Sequence, residues 1–232
     1  MKNIVLNIPH SSINGIYDEK YGKWCKSPLF INNIVNKWTD WYTDYLFSVD
    51  NSNIKKVVFP YSRFVCDAER LESDEMEKIG QGIAYTSFND YRRTISEEEK
   101  ERIIGLWKEH QNKLVECIDK DTVLIDCHSF PSELSETDIC IGFNDDWSYD
   151  ENIVEMIKSV FTKKGYSVSM NTPYSNSITP KTNFEYKSVM IEVNKRVYLN
   201  EKTLSLNPNI RQWMRWNSAI KEIYVNILNN KQ

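Results

Sequence analysis

Short hydrophobic runs alternate along the chain with stretches in which apolar residues recur every three or four positions. The short runs are typical of buried strands, and the recurrences indicate helices with one apolar face. Strands are predicted at residues 3–8, 55–59, 122–127, 138–143, 166–171 and 188–193. Strands that alternate with helices predict an α/β fold in which helices cover a central sheet.

Local signals define the helix ends. Ser96 and Glu99 have the spacing of a capping box, in which each side chain binds the backbone N–H of the other residue. Gly165 is suited to the left-handed conformation that ends a helix. Helices are predicted at residues 29–48, 96–119, 149–164 and 208–229.

The length and composition favour one globular domain over residues 1–232. Hydrophobic residues make up 41% of the chain, enough to fill one core. The formal net charge of −4 argues against nucleic acid as a partner, because nucleic-acid binding usually needs a basic surplus. No apolar run approaches the roughly 20 residues that span a bilayer, so no membrane partner is expected.

The apolar stretch at the N-terminus is too short for the hydrophobic region of a signal peptide, so we expect a cytoplasmic protein. Five cysteines, an odd number without any CxxC spacing, predict neither a disulfide framework nor a structural zinc site.

Two of the three histidines follow predicted strands. His10 comes after the strand at 3–8, and His128 comes after the strand at 122–127. Ligands of open α/β sheets bind at the carboxyl ends of strands, so two neighbouring strands would bring both imidazoles to one metal ion. We predict a zinc site, with Asp126 as an orienting partner of His128. His110 lies on an apolar helical stripe and is interpreted as a packed histidine.

Catalytic zinc usually has three protein ligands, which requires a carboxylate here. Asp40 and Asp44 stand four residues apart in the predicted helix 29–48, and either is a candidate. Both are surrounded by aromatic residues, where a carboxylate needs a partner such as a cation.

Further charged residues complete a candidate active site. Arg63 and Arg70 could bind a substrate carboxylate in bidentate fashion, or form surface salt bridges. Glu192 lies inside an apolar strand and is the best candidate for a general base. Asn194 and Arg196 are expected on the same face as Glu192, so both are candidates for substrate binding and Arg196 is also a candidate partner of Glu192. If Glu192 is not the base, Asp67 or Asp126 is the next candidate.

Six segments, in order, resemble the N-formylglutamate amidohydrolase family: NIPHSS, TDWYTDYLF, SRFVCDAER, VLIDCHSF, NTPYSNSITP and MIEVNKRVYL. The resemblance implies a phosphorylase/hydrolase-like α/β fold similar to that of the zinc carboxypeptidases, with a mixed central sheet and one Zn²⁺ ion per chain. It implies His10 and His128 as zinc ligands, and it favours Asp40 over Asp44 as the third.

The same resemblance implies Glu192 as the base, with Arg63 and Arg70 on the substrate; Arg70 could also hold the oxyanion. The expected function is hydrolysis of the amide of an N-acyl amino acid such as N-formylglutamate by metal-activated water. Two departures affect specificity: Glu69 replaces the asparagine usual before the second arginine, which disfavours a dicarboxylate, and residues 175–177 replace a glycine-rich stretch.

Two alternatives stay open at this stage. The same residues could cleave a peptide or a cell-wall amide, since pocket size is not readable from the sequence. The chain could also be a binding protein that keeps the fold and has lost catalysis. The substrate's acyl group and the oligomeric state are not predicted.

Overall fold

A computed structural model describes residues 2–24, 30–72 and 74–229. The chain divides into two compact units, which are described separately. The first unit contains residues 1–8, 42–57 and 114–232, and the second contains residues 9–41 and 58–113. That the chain forms one domain stays a prediction.

Within the described residues, the main sheet has six strands: β1 Asn3–Ile8, β3 Ile54–Val58, β6 Thr122–Phe130, β7 Ile139–Gly142, β8 Val168–Met170 and β9 Lys187–Asn194. Their order across the sheet is β3-β1-β6-β9-β7-β8. Strand β1 pairs with β6 in parallel, β6 pairs with β9 in parallel, and β7 runs antiparallel to β9. The predicted α/β class with a mixed central sheet is confirmed.

Helices of the first unit pack against this sheet. The helix α4, Glu151–Lys163, contacts β7 and β8, and α5, Ile210–Asn229, contacts β1 and α4. On α5 the indole of Trp216 donates to the carbonyl of Leu46 at 2.8 Å, which fixes the helix beside the short helix α2, Thr43–Leu46. These helices cover the apolar residues that the sequence pattern assigns to a buried core.

The second unit contains a small sheet built from β2 Lys23–Trp24, β4 Ser87–Phe88 and β5 Tyr91–Thr94, in the order β2-β5-β4. It also contains most of the helix α3, Glu97–Cys117. The predicted capping box is confirmed: the Ser96 N–H donates to Glu99 at 2.6 Å, and the Glu99 N–H donates to the Ser96 hydroxyl at 3.3 Å. A further short pair, β10 Leu199–Asn200 and β11 Ser205–Leu206, lies in the first unit.

The prediction of one helix over 29–48 is wrong. A π-helical segment at Ile31–Val35 continues as α1, Asn36–Trp38, and the chain is extended at Thr39 before α2 begins at Thr43. The Thr39 hydroxyl donates to the Val35 carbonyl at 2.7 Å, a local bond that competes with helix continuation. Leu29 lies outside the described residues.

Across the described ranges, the structure contains no helix long and apolar enough to cross a membrane.

Candidate metal centre and active site

One face of the main sheet changes from apolar to polar toward the carboxyl ends of its parallel strands. Val5 and Leu124 lie within a hydrophobic cluster, and two residues further along the same strands are Asn7 and Asp126. Since alternate residues of a strand share a face, His128 extends this polar face. The polar face is thus at the edge where α/β proteins bind ligands.

Asp126 holds His128 on this face. The two residues are fully or nearly fully buried, and the Nε2 atom of His128 lies 3.0 Å from the Oδ1 atom of Asp126. The same carboxylate accepts from the Asn7 side chain at 2.7 Å and from the Ile178 N–H at 3.2 Å. Although burial by itself would raise the pKa of Asp126, the charge of His128 and these hydrogen bonds lower it. Asp126 is therefore ionised and fixes the ring of His128.

Glu192 is the paired neighbour of His128 across the sheet. The register of the parallel strands β6 and β9 aligns the two residues, and on its other side Glu192 is aligned with Cys140 of β7. Paired residues on adjacent strands share a face, so the Glu192 carboxylate lies beside the His128 imidazole. Glu192 is 6% exposed.

The expectation that His128 follows the strand is wrong in detail, because β6 continues to Phe130.

Asn194 and Arg196 form contacts within the first unit. The Asn194 amide donates to the carbonyls of Ser135 and Thr137, each at 3.0 Å. The guanidinium of Arg196 lies 3.2 Å from the Asp138 carboxylate. Arg196 is thus paired with an acid other than Glu192, and the roles of both residues in substrate binding stay predictions.

In the second unit, Asp67 is the centre of a buried cluster of charges. Its Oδ1 atom lies 2.7 Å from the Nε2 atom of His10, and its Oδ2 atom accepts from the Tyr85 hydroxyl at 2.6 Å. The same Oδ2 atom accepts from Arg63 at 3.1 Å and lies 3.6 Å from the Nε atom of Arg70. One carboxylate therefore orients the imidazole and both guanidinium groups.

The charges of this cluster determine the ionisation of its members. Burial alone would raise the pKa of Asp67, but the charges of His10, Arg63 and Arg70 hold it well below its ordinary value. Burial, only partly opposed by Arg63, raises the pKa of Tyr85 to about 12. At neutral pH Asp67 is therefore a hydrogen-bond acceptor, and the Tyr85 hydroxyl is a donor.

His10 has a carboxylate on each side of its ring. The Asp40 carboxylate lies 3.7 Å from the Nδ1 atom, and the Glu69 carboxylate lies 3.9 Å from the Nε2 atom, on the side where Asp67 binds. The N–H of Asp40 also donates to the His10 carbonyl at 2.9 Å, which fixes the backbone beside the ring. Since the chain breaks helical structure between Asp40 and Asp44, the two aspartates do not share a helical face.

Some residues of the cluster were not identified as site members in the sequence. The sequence predicts Asp67 only as a substitute base, although its spacing, four residues after Arg63 and three before Arg70, is a usable signal. Tyr85 had no such signal, because its hydroxyl reaches Asp67 only through the fold. His110 is 2% exposed and meets the Phe59 ring edge-to-face, which confirms the packed histidine.

The sequence matches the family described as N-formylglutamate amidohydrolase over residues 3–199. A match of this extent places the protein among the hydrolases of amide bonds, the amidohydrolases. The chain belongs to the N-formylglutamate amidohydrolase family. No curated protein sequence matches it.

Solved structures share the fold. The N-formylglutamate amidohydrolase from Ralstonia eutropha JMP134 superposes with a TM-score of 0.74 at 17% identity, covering 98% of this chain and 93% of the other. The gene product Atu2144 from Agrobacterium tumefaciens superposes with a TM-score of 0.70 at 17% identity, covering 98% of this chain and 90% of the other. At this level of identity the similarity shows a common fold alone.

Proposed function

We propose that the protein hydrolyses the amide bond of an N-acyl amino acid, of which N-formylglutamate is one example, with the aid of one zinc ion. The observation that carries the proposal is the pairing of Glu192 with His128 on the polar face of the sheet. A buried carboxylate beside a histidine that is itself held by Asp126 combines a proton acceptor with a potential metal ligand.

The residues fit a zinc site by the chemistry of their donor atoms. Imidazole nitrogens and carboxylate oxygens are usual zinc ligands, and we assign His10, His128 and Asp40 to this role. In each histidine the Nε2 atom lies within hydrogen-bond distance of a buried aspartate, Asp67 or Asp126. Metal-binding histidines usually have such a carboxylate partner on the second nitrogen, which fixes the tautomer.

Asp40 is preferred as the carboxylate ligand because it lies on the Nδ1 side of His10, opposite the nitrogen that binds Asp67. Glu69 is the competing carboxylate, since His10, Glu69 and His128 also form a group able to hold a metal ion. When bound, zinc supplies a Lewis acid for the carbonyl and for a water molecule.

The side chains of the protein account for proton transfer and orientation. The Glu192 carboxylate takes a proton from the attacking water and delivers it to the nitrogen of the leaving amine, so its charge is restored at the end of the cycle. Arg63 and Arg70 hold the substrate carboxylate, and their guanidinium groups are positioned by Asp67. Holding the substrate in a fixed position relative to Glu192 removes part of the entropic barrier to the reaction.

Metal analysis combined with a hydrolysis screen tests the proposal. Purified protein is assayed for zinc by mass spectrometry and is offered a series of N-formyl and N-acetyl amino acids. We expect about one zinc per chain and release of free amino acid from at least one member of the series. Protein that holds no zinc, gains no activity when zinc is added and still binds these compounds would instead be a binding protein.

A further inference from the structure

Residues 63–70 form the arginine segment, which carries Arg63, Asp67 and Arg70 on a backbone of turns and irregular structure. Such a backbone lacks the regular hydrogen bonds of a helix or a strand, so its buried carbonyl groups need other donors. Among the described residues of the second unit, four side chains supply them. The carbonyl of Phe64 accepts from Trp24 at 3.2 Å, that of Val65 from Arg93 at 3.0 Å, that of Ala68 from Gln111 at 2.8 Å and that of Arg70 from Trp107 at 2.7 Å.

Two of these donors lie on one face of α3. Trp107 and Gln111 are four residues apart in the helix, so their side chains are neighbours, and they bind the carbonyls at the end of the arginine segment. Ile103, one turn before Trp107, is fully buried in a hydrophobic cluster that also contains Ala68. A regular helix thus holds the irregular backbone at Ala68 and Arg70 by both polar and apolar contacts.

The two arginines of the segment differ in how Asp67 holds them. Arg63 donates a hydrogen bond to the Asp67 carboxylate at 3.1 Å. The Nε atom of Arg70 lies 3.6 Å from the same carboxylate, beyond hydrogen-bond distance, and has no hydrogen-bond partner among the described residues. The position of the Arg70 guanidinium therefore depends more on its own backbone, whose carbonyl is bound by Trp107.

We propose that Trp107 and Gln111 are positioning residues that hold the backbone of Arg70 in the conformation in which its guanidinium binds a substrate carboxylate. Without these hydrogen bonds the guanidinium would have to be ordered when the substrate binds, and ordering on binding lowers affinity. The groups proposed to perform the chemistry are not altered, so KM should rise while kcat stays the same. The inference rests on the proposed function, because it takes Arg70 as a ligand of the substrate.

Conservative substitutions remove the two hydrogen bonds and keep the apolar contacts. Trp107→Phe deletes the indole N–H and keeps an aromatic ring, and Gln111→Met deletes the amide and keeps the length of the side chain. Trp216→Phe is the control for the first, because it removes an indole–carbonyl hydrogen bond in the other unit. Asn112→Leu, at an exposed position, is the control for the second. KM, kcat, zinc content and melting temperature are measured with an N-acyl amino acid that the wild-type protein hydrolyses.

A double-mutant cycle separates positioning from a general loss of structure. Trp107→Phe is also introduced into the Arg70→Lys and Arg63→Lys variants, and its effect on KM is compared in each background. If Trp107 acts through Arg70, its effect should be largely lost in Arg70→Lys and retained in Arg63→Lys. If Trp107→Phe does not fold, Gln111→Met is used in the same cycle. The dissociation constant of N-acetylglutamate, measured by calorimetry, gives a second cycle that does not depend on turnover.

We expect KM to rise about three- to tenfold in Trp107→Phe and in Gln111→Met, the change that one hydrogen bond produces. The kcat and the zinc content should stay at their wild-type values, and both controls should keep the wild-type KM even where their melting temperature falls. An unchanged KM, a fall in kcat or zinc content, or an effect of Trp107→Phe that is equally large in the Arg70→Lys background would overturn the inference.

The two cycles also distinguish this inference from the proposed function. If the dissociation constants show the coupling to Arg70 but no N-acyl amino acid is hydrolysed, the positioning role stands and the proposed function fails. If hydrolysis occurs without the coupling, the proposed function stands and the positioning role fails. Wild-type protein that neither binds nor hydrolyses any of these compounds would overturn both.

Discussion

His128 and Glu192 are aligned on the adjacent parallel strands β6 and β9, and both residues are at most 6% exposed. The pairing places an imidazole and a carboxylate side by side on a rigid sheet, where neither can move far without breaking the register. Rigid strands hold reacting groups more accurately than loops do. In this position Glu192 can serve either as a proton acceptor or as a structural charge, and substitution of Glu192 distinguishes the two roles.

Replacing Glu192 by Gln keeps the shape of the side chain and removes the proton acceptor. If Glu192 is the general base, kcat should fall roughly 10²- to 10⁴-fold while zinc content and melting temperature stay nearly constant. Steady-state kinetics and calorimetry measure both. If the charge is structural, the variant should lose about 3–5 kcal/mol of unfolding free energy and keep its specific activity per folded molecule.

Removing either proposed histidine ligand should abolish tight zinc binding. His10→Ala and His128→Ala each delete a donor atom, and Asp40→Asn should lower zinc affinity as well. Because His10 also donates to the buried Asp67, its loss should cost about 1–3 kcal/mol of stability. Zinc content after dialysis is the measurement, with Asp44→Asn as the control. Full occupancy in a histidine variant would remove that residue from the site, and loss of zinc from the control would favour Asp44 over Asp40.

Arg63→Lys and Arg70→Lys should weaken substrate binding without altering zinc content. Lysine keeps the charge but loses the planar pair of donors, and charged hydrogen bonds of this kind are worth about 1.5–3 kcal/mol. KM for an N-acyl amino acid should therefore rise roughly ten- to a hundredfold. Arg102→Lys, at an exposed pair with Glu98, is the control. Unchanged kinetics together with a lower melting temperature would show that the arginines serve the Asp67 cluster alone.

The capping box at the start of α3 predicts a pH dependence of stability. The backbone hydrogen bond with Ser96 lowers the pKa of Glu99 from its ordinary value of 4.5. The pKa of Glu99 is lower in the folded protein than in the unfolded protein, so Glu99 stabilises the fold above about pH 4.5. This contribution is lost as the pH falls through the pKa of Glu99 in the folded protein. Glu99→Gln should thus lower stability at pH 7 and lose this effect near pH 3. Denaturant unfolding at both pH values tests it, with Glu97→Gln as control; an equal effect at both would contradict the prediction.

The sequence alone determined the fold class and most of the strands. Residues 3–8 and the segment around Glu192 are strands because continuous apolar runs of that length can be buried on both faces, and β1 has the predicted bounds. The capping box and the stop at Gly165, whose φ is 82°, were equally readable because both depend on neighbouring residues. These features are local, so their causes lie within a few positions of the chain.

Tertiary structure decided the break after Trp38, the length of β6 and the cluster around Asp67. The helix pattern continues through Asp40, but the N–H of Asp40 bonds to the distant His10 carbonyl, and tertiary contacts of this kind override periodicity. Tyr85 reaches Asp67 across 18 positions of sequence, a pairing that no spacing rule encodes. A charged cluster of this kind is assembled from separate segments, because only a folded chain can bring enough donors to one buried carboxylate to offset its loss of hydration.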